Sequence, residues 1–390
     1  MIRRVLYACT QDPSNVQHWS GTIHYMGKAL AESIESVEPW LIPTVPRPFF
    51  ARWRARSTRR LFRCLDIPEG EIWFARACSR LIDERLAEGR YDAVLSHAPR
   101  VFAYSESAVP AFAFSDAVFP NLLNYYPGFD RVRPRTVREV EETERLGIEH
   151  CRRFFVSSEW ARAATMAGYR TPGDRVSVMP LGANMDPLPP SAVTETVRSR
   201  IGTPCRLLFL GVEWARKGGD LAVDAAKSLI DRGVAVELVI VGCDPPAEVR
   251  ALPFVQSVGF LDKRDEAHRA KLTGFLDGAR FLIMPSRAEA YGIAVAEAYC
   301  RAVPAVAANT GGLTSLVRNG VTGFLVPREA GGKAYAEAML PFLSDQAAYE
   351  AMCLAAYEAA RTEFNWTVVG QHMKAEMESA ISQAVSRRTS

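Results

Sequence analysis

The sequence lacks a long apolar run, since no stretch reaches the roughly 18 residues that a membrane-spanning helix needs. Its opening residues, MIRRVLYACTQDPS, also lack the apolar region of a secretory signal peptide. The eight cysteines are scattered, and no Cys-x-x-Cys spacing occurs. We therefore expect a reduced, cytoplasmic location in which the cysteines are mostly small core residues.

An excess of charge of either sign is also missing. Lysine and arginine number 47 against 44 acidic residues, a formal net charge of +3. With no zinc-finger spacing and no aromatic-basic RNA signature, no nucleic-acid partner is expected. One segment departs from this balance of charge. Residues 47–64, RPFFARWRARSTRRLFRC, contain seven arginines, four aromatic residues and no acid. Anionic lipid headgroups at the inner membrane face or a phosphorylated acceptor could dock there; the alternative is a solvated helix face.

At 390 residues the chain exceeds what one hydrophobic core usually serves, so two domains are expected. Short apolar runs such as RRVLYACT and VAVELVIVG alternate with helical patterns throughout, which indicates an α/β protein with parallel sheets. The Pro-, Ser- and Thr-rich segment 184–204 has the composition of a linker. We predict domains at 1–190 and 191–365, then a closing helix at 366–390 that packs back on the first domain.

The stretch 287–300, RAEAYGIAVAEAYC, places two glutamates eight positions apart in an apolar run. The preceding run ARFLIMPS predicts a buried strand, and a helix should begin near Gly292, so that its free N–H groups suit a diphosphate. Glu297 then lies about 7.5 Å along the helix, where it could accept hydrogen bonds from a ribose. Glu289 precedes the helix, on the side where a sugar attached to the diphosphate would project its hydroxyls. Tyr291 and Ile293 flank Gly292 and are predicted to contact the diphosphate with it.

Residues 285–327, PSRAEAYGIAVAEAYCRAVPAVAANTGGLTSLVRNGVTGFLVP, resemble the most characteristic stretch of glycosyltransferase family 4. The segments 206–226 and 174–186 resemble that family's opening of the second domain and its lead into the linker. The resemblance implies the GT-B fold, two Rossmann-like doubly wound domains facing a central cleft. The first domain would then hold the acceptor and the second the nucleotide sugar, with retention of configuration during transfer. By the same resemblance, Glu289 contacts the donor sugar, Glu297 the ribose and Lys217 the phosphates.

The chemistry of sugar transfer gives a second reason to predict that Lys217 contacts the phosphates. Breaking a sugar–diphosphate bond leaves negative charge on the departing oxygen, which fixed cations stabilise. The sequence contains no Asp-x-Asp metal pair, so we predict no metal and no cofactor, with Lys217, Arg216 and the helix N-terminus taking that task. The sequence leaves UDP-, GDP- and ADP-sugars open as donors, and glycans, lipid-linked compounds and small molecules open as hydroxyl acceptors.

The chain also departs from the family pattern. Val212 stands where relatives often have arginine, and Ser315 where they often have glutamate, which leaves a catalytically degenerate nucleotide-sugar-binding protein as an alternative. The loop 310–313 still offers backbone N–H groups. A family histidine is replaced at the end of the strand PAFAFSD by Ser115 and Asp116. Asp116 would bind a sugar or acceptor hydroxyl, or act as the base of an inverting enzyme.

Two weaker candidates belong to the first domain. His97 ends the predicted strand before Asp116, although a lone histidine is more often structural. Gly21, in the loop 18–27, stands where the family carries a glycine-rich turn near the donor phosphate and acceptor. The first strand is not followed by Gly-x-Gly-x-x-Gly, which argues against a dinucleotide-dependent dehydrogenase. A phosphorylase-like enzyme ranks last, because no further cofactor-lysine motif is found.

Overall fold

The computed structural model describes residues 1–60, 63–202 and 204–389, with the side chains of 57–59 and 385–389 outside the description. The chain forms two compact units. Unit 1 contains Met1–Pro180 and Trp366–Ser390, and unit 2 contains Leu181–Asn365. Among the described residues, no helix combines the length and apolar composition needed to cross a membrane.

Unit 1 alternates strands with helices and is completed by the last helix of the chain. Its strands are β1 Arg4–Cys9, β2 Ser36–Leu41, β3 Ala93–Ser96, β4 Ala111–Ser115, β5 Arg153–Val156 and β6 Val176–Val178. Its helices are α1 Thr22–Ser33, α2 Phe49–Arg60, α3 Ile72–Glu88, α4 Phe119–Leu122, α5 Pro134–His150, α6 Glu159–Tyr169 and, from the end of the chain, α15 Trp366–Thr389.

Unit 2 repeats the same alternation. Its strands are β7 Cys205–Leu210, β8 Val236–Val241, β9 Val255–Gly259, β10 Phe281–Met284, β11 Ala305–Asn309 and β12 Gly323–Pro327. Its helices are α7 Val193–Ser199, α8 Gly219–Ile230, α9 Ala247–Arg250, α10 Glu266–Gly278, α11 Ile293–Cys300, α12 Leu313–Leu316, α13 Gly332–Ser344 and α14 Gln346–Thr362.

Each unit contains one parallel sheet, and within the described ranges each sheet has six strands. The strand orders are β2-β1-β3-β4-β5-β6 and β12-β11-β10-β7-β8-β9. Helices cover the sheets, so central strands such as β10, Phe281–Met284, are buried along their whole length. These two doubly wound sheets confirm the predicted α/β class. Seven of the eight cysteines are buried, and all eight are free thiols.

The edge strand β2 was not predicted. Its residues SVEPWL are half-exposed to exposed, and Pro39 cannot donate a ladder hydrogen bond. An edge position tolerates both features because one side of the strand has no partner. The strand pairs in register with β1, from Arg4 opposite Ser36 to Cys9 opposite Leu41. Propensity alone misses such a strand, since pairing to β1 determines its conformation.

The segment 184–204 was predicted to be a linker, and the structure corrects this. It contains α7, whose Val193 and Val197 lie four residues apart and are buried in the core of unit 2. Leu188 joins the same core, and its N–H donates to the carbonyl of Cys300 at 2.9 Å. Unit 2 therefore begins at Leu181, before the predicted boundary at 190.

The closing helix α15 packs on α1 within unit 1. The rings of Tyr25 and Trp366 are stacked with centroids 6.4 Å apart. Gly370 lies so close to α1 that an added Cβ would stand 2.4 Å from the carbonyl oxygen of Ala29. A glycine at this position is what allows the two helix backbones to approach.

Candidate functional site

The candidate site of unit 2 lies at the switch point of its sheet. Strand β7 is flanked by β10 on one side and β8 on the other, so successive crossovers leave it in opposite directions. The loops that follow β7 and β10 therefore lie at the carboxyl ends of two neighbouring strands, at the point where the strand order reverses. Ligands of open α/β sheets bind in such a crevice. Both loops contain residues predicted from the sequence, Lys217 in the first and Glu289 in the second.

Two glycines of the first loop determine the position of Lys217 and the contact with the second loop. Gly211 lies beneath the stem of Lys217, and an added Cβ would be 2.9 Å from Cγ of that lysine. Gly218 has φ +72°, and its Cβ would be 2.1 Å from the carbonyl oxygen of Pro285, at the end of β10. A side chain at Gly211 would displace the stem of Lys217, and a side chain at Gly218 would separate the two loops. The N–H of Arg287 also donates to the carbonyl of Arg216 at 2.8 Å.

Lys217 and Glu289 form an ion pair across the two loops. Their side chains are only 12% and 9% exposed, so the pair is largely withdrawn from water. Arg216 lies on the same side, with Nη1 at 3.8 Å from Oε2 of Glu289 and donating to the carbonyl of Ala288 at 2.8 Å. Its other nitrogens contact Glu213 at 2.5 and 2.6 Å. The carboxylate of Glu289 thus faces two cations.

Helix α11 begins immediately after Gly292, as the sequence predicted. Gly292 caps it with φ +97°, and its Cβ would lie 2.6 Å from Cδ2 of Leu313. Glycine is therefore required here by both conformation and space. Ile293 is the first helical residue and is half-buried.

The side chain of Tyr291 holds the loop that precedes α11 in place. Its hydroxyl donates to the carbonyl of Leu181 at 2.8 Å and accepts from the N–H of the same residue at 2.9 Å. The ring is buried, and burial raises the pKa of the phenol well above its usual value. The side chain thus anchors the loop to the start of unit 2, so that only its backbone remains for a ligand.

Glu297 lies inside α11, and its side chain is 1% exposed. Lys263, in the loop between β9 and α10, forms an ion pair with its Oε1. Sequence reasoning missed Lys263, because nothing in that loop marks one lysine among its charged neighbours. Each glutamate of the pair 289 and 297 is therefore neutralised by its own lysine.

A separate polar cluster occupies the corresponding switch point of unit 1, between β1 and β3. The indole N–H of Trp19 donates to Oδ2 of Asp116 at 3.0 Å. His97 Nε2 shares a hydrogen bond of 3.0 Å with the hydroxyl of Thr10. Burial, with a smaller contribution from His18, lowers the pKa of His97 to about 4, so the ring is neutral at neutral pH.

The turn before α1 is backbone-strained. Trp19, Ser20 and Gly21 have φ values of 48°, 56° and 91°, a left-handed run that only the glycine adopts at no cost. Such strain persists only where the surroundings impose it, and it concentrates at functional sites. Gly21 is the N-cap of α1 and is buried.

The remaining predictions concern two departures from the family pattern and the absence of a metal. Val212 is 61% exposed, and Ser315 lies in the short helix α12. Within the described part of the chain, no group of three or more His, Cys, Asp or Glu is arranged to hold a metal ion. Independence from metal stays a prediction.

Comparison with known proteins agrees with this arrangement. Residues 204–345 match the family model described as Glycosyl transferases group 1. The chain is 29% identical over 233 residues to the D-inositol 3-phosphate glycosyltransferase of Corynebacterium glutamicum, covering 56% of this chain and 54% of that protein. The chain thus spans about half the length of the curated relatives it matches.

Solved structures extend the likeness to both units. Sucrose-phosphate synthase from Thermosynechococcus elongatus matches with a TM-score of 0.69 at 16% identity, over 98% of this chain and 100% of that one. Anabaena HepE, solved in complex with UDP and glucose, matches with a TM-score of 0.63 at 14% identity, over 97% and 100% of the two chains. At such identities the likeness shows the fold.

The fold and the candidate site define a GT-B protein with two Rossmann-like units. The match to the model of the glycosyltransferases of group 1, residues 204–345, lies entirely within unit 2. The predicted resemblance to glycosyltransferase family 4 is confirmed.

Proposed function

We propose that the chain is a cytoplasmic, metal-independent retaining glycosyltransferase that moves a sugar from a nucleotide diphosphate sugar to a hydroxyl acceptor. The observation that carries the proposal is the contact between Lys217 and Glu289 beside the N-terminus of α11. It combines a cation for phosphate, a carboxylate for sugar hydroxyls and a helix N-terminus at one switch point.

In this proposal the donor lies along α11. Glu297 accepts hydrogen bonds from the ribose, and the diphosphate rests against the backbone of Gly292 and Ile293. As the bond between the sugar and the diphosphate oxygen breaks, its electron pair stays on that oxygen, where Lys217 stabilises the charge. Arg216 is a second cation for the same group. The acceptor oxygen bonds to the sugar carbon, and its proton passes to the departing diphosphate.

Glu289 would hold the donor sugar. Its carboxylate accepts hydrogen bonds well, and Lys217 fixes its position. Tyr291 enters the proposal only as the anchor of this loop, through its bonds to Leu181.

Unit 1 would supply the acceptor side. Asp116 is oriented by the indole of Trp19 and can accept a hydrogen bond from an acceptor hydroxyl. Gly21 belongs to the same turn as Trp19. The alternative is that Asp116 deprotonates the acceptor and inverts the configuration. The anomeric configuration of the first-formed product, read by NMR, separates the two, since inversion contradicts the proposed retention.

A catalytically degenerate protein remains the second candidate, because Val212 and Ser315 depart from the family pattern. It would bind nucleotide sugars yet turn over none. Inositol phosphate is the first acceptor to test, since the curated relatives bear the name D-inositol 3-phosphate glycosyltransferase. Donor binding without turnover on a broad panel of hydroxyl acceptors, and without donor hydrolysis, would favour the degenerate protein.

The first experiment is calorimetry with UDP, GDP, ADP and TDP and their common sugar conjugates, in EDTA and then in magnesium. UDP and UDP-glucose come first, because HepE structures contain them. We expect one nucleotide to be preferred, equally in both buffers. Binding that needs magnesium contradicts metal independence, and binding of none contradicts the donor site.

The proposal includes a peripheral contact of segment 47–64 with anionic membrane. Phe49, Phe50 and Trp53 on α2 are 79%, 60% and 71% exposed, although large aromatic side chains normally avoid water. Exposed aromatics beside arginines are typical of helices that lie in a membrane interface. Residues 61 and 62 of the segment, and the side chains of 57–59, are outside the described residues. Failure of phosphatidylglycerol vesicles to retain the protein at low salt would contradict this contact.

A further inference from the structure

Four arginines of unit 1 surround one concavity. It measures about 420 Å³ and is lined by Arg47, Arg52, Arg56 and Arg60, together with Ala55. Three of these arginines belong to α2 and stand at positions i, i+4 and i+8, so they lie along one side of that helix. Arg47 precedes the helix and completes the rim. Every charged residue that lines the concavity, among those the structure describes, is therefore a cation.

The repulsion between these arginines destabilises the folded state unless anionic groups compensate it. Like charges at i and i+4 on a helix destabilise it. Nearby acidic residues are already used by the neighbouring arginines: Arg47 contacts Asp66 at 2.7 Å and Glu71 at 2.6 Å, and Arg54 contacts Glu71 as well.

In the part of the chain that the structure describes, Arg52, Arg56 and Arg60 have no such compensation. Among the residues the structure describes, no acidic side chain lies within ion-pair distance of Arg52, Arg56 or Arg60, and all three are exposed. Arg47, in contrast, is held rigidly by its two carboxylates and is 16% exposed. One guanidinium is thus held at the rim by carboxylates, and three exposed ones border the same cavity.

We infer that this concavity, the four-arginine pocket, binds a phosphate group. Guanidinium groups bind phosphate oxygens through paired, charge-assisted hydrogen bonds, and several converging on one small cavity select a compact polyanionic group. The pocket differs from the donor site, which lies in unit 2, and from the exposed aromatic side chains of α2. The inference does not depend on the proposed glycosyl transfer, because it concerns only the binding of phosphate by unit 1.

The phosphate has two sources that share this chemistry, a lipid headgroup and a free phosphorylated molecule. The test compares sn-glycerol 3-phosphate in solution with phosphatidylcholine vesicles that contain or lack phosphatidylglycerol. The variant is R52Q/R56Q/R60Q. The control is R3Q/R90Q/R152Q, which removes three exposed arginines elsewhere in unit 1 and changes the net charge of +3 by the same amount.

We expect the pocket variant to bind glycerol 3-phosphate at least about tenfold more weakly than the wild type, and the control to bind it unchanged. Its midpoint of urea unfolding should be equal or higher, since like-charge repulsion is removed. Binding of UDP should be the same in all three proteins, which separates failure of this inference from failure of the donor site.

A second variant, F49S/F50S/W53S, separates the sources. Binding of free glycerol 3-phosphate that survives this change supports a pocket for soluble phosphates. Vesicle binding that needs phosphatidylglycerol and is lost in the pocket variant, but not in the control, supports the headgroup. The inference is overturned if the wild type binds neither probe, or if the pocket and control variants weaken binding equally, as a diffuse charge effect would.

Discussion

Lys217 and Glu289 are 72 residues apart in sequence, yet the ammonium of one contacts the carboxylate of the other. The contact exists because β7 and β10 are neighbours in the sheet and Gly218 lets the loops that follow them touch. A lysine alone or a glutamate alone at these positions would be an ordinary loop charge. Their side chains are only 12% and 9% exposed, so the two residues form a preorganised polar centre. This centre lies at the switch point of the sheet, where ligands of open α/β sheets bind.

The two glutamates should differ in what they hold. Glu297→Gln is expected to weaken binding of a free nucleoside diphosphate about tenfold, because a charge-assisted hydrogen bond to the ribose becomes neutral. Glu289→Gln should leave diphosphate binding nearly unchanged and reduce turnover of the sugar nucleotide by a larger factor. Calorimetry with the diphosphate and initial rates with the sugar nucleotide measure the two effects. The opposite pattern would reverse the assignment.

Substitution of Lys263 tests whether the carboxylate of Glu297 depends on its ion-pair partner. Lys263→Met leaves the carboxylate of Glu297, 1% exposed, without its cation, so we expect a loss of about 1–3 kcal/mol in the free energy of unfolding. Nucleotide binding should weaken as well. Urea denaturation measures the first effect and calorimetry the second.

The double variant K263M/E297Q is the matched control for that change. It removes both charges, so most of the lost stability should return while nucleotide binding stays weak. Equal instability of the single and double variants would mean that Lys263 acts through its packing and not through the ion pair.

The sequence predicts the centre of this site well and its surroundings poorly. The strand β10, the start of α11 at Gly292 and the positions of both glutamates follow from one continuous stretch, in which a buried strand, a loop and a helix succeed each other. Such local patterns are readable because periodicity and turn residues determine them. The doubly wound α/β class follows from the repetition of this pattern along the chain, whereas the GT-B fold was implied by the resemblance of residues 285–327 to glycosyltransferase family 4.

Lys263 and the anchor role of Tyr291 could not be predicted in this way. Lys263 reaches Glu297 from a loop 34 residues away, and no spacing rule connects the two. Tyr291 has its partner in the backbone of Leu181, 110 residues before it. Both contacts depend on how the elements pack, which local patterns do not contain.

Gly218 should be the glycine whose substitution disturbs the contact between the two loops most. Gly218→Ala places a Cβ 2.1 Å from the carbonyl oxygen of Pro285, and backbone cannot yield as a flexible side chain would. We expect a loss of about 2–4 kcal/mol, larger than the left-handed conformation alone costs. Donor binding should fall with it, since Lys217 and Glu289 would be separated.

The control for that prediction is Gly233→Ala. Gly233 has φ +80°, close to the +72° of Gly218, and an added Cβ would meet no atom within 4 Å. Its substitution should cost only the conformational strain, about 1–2 kcal/mol, with donor binding unchanged. Similar unfolding free energies and donor affinities for the two variants would show that the contact with Pro285 is unimportant.

His97 should make stability depend on pH. Its pKa is lowered from 6.5 to about 4 in the folded protein, chiefly by burial, so below pH 6.5 the unfolded chain binds a proton that the folded protein does not. The stability that His97 contributes is therefore complete above pH 6.5 and is lost as the pH falls toward 4. At pH 5 the loss should be about 2 kcal/mol relative to pH 7.

Urea denaturation of the wild type and His97→Gln at pH 7 and pH 5 measures this loss. Glutamine cannot titrate, so the variant should lose about 2 kcal/mol less than the wild type between the two values. His372→Gln, at an exposed position of α15, is the control and should follow the wild type. If all three proteins lose the same free energy, His97 is protonated in the folded state at pH 5, and the cluster with Thr10 is open to water there.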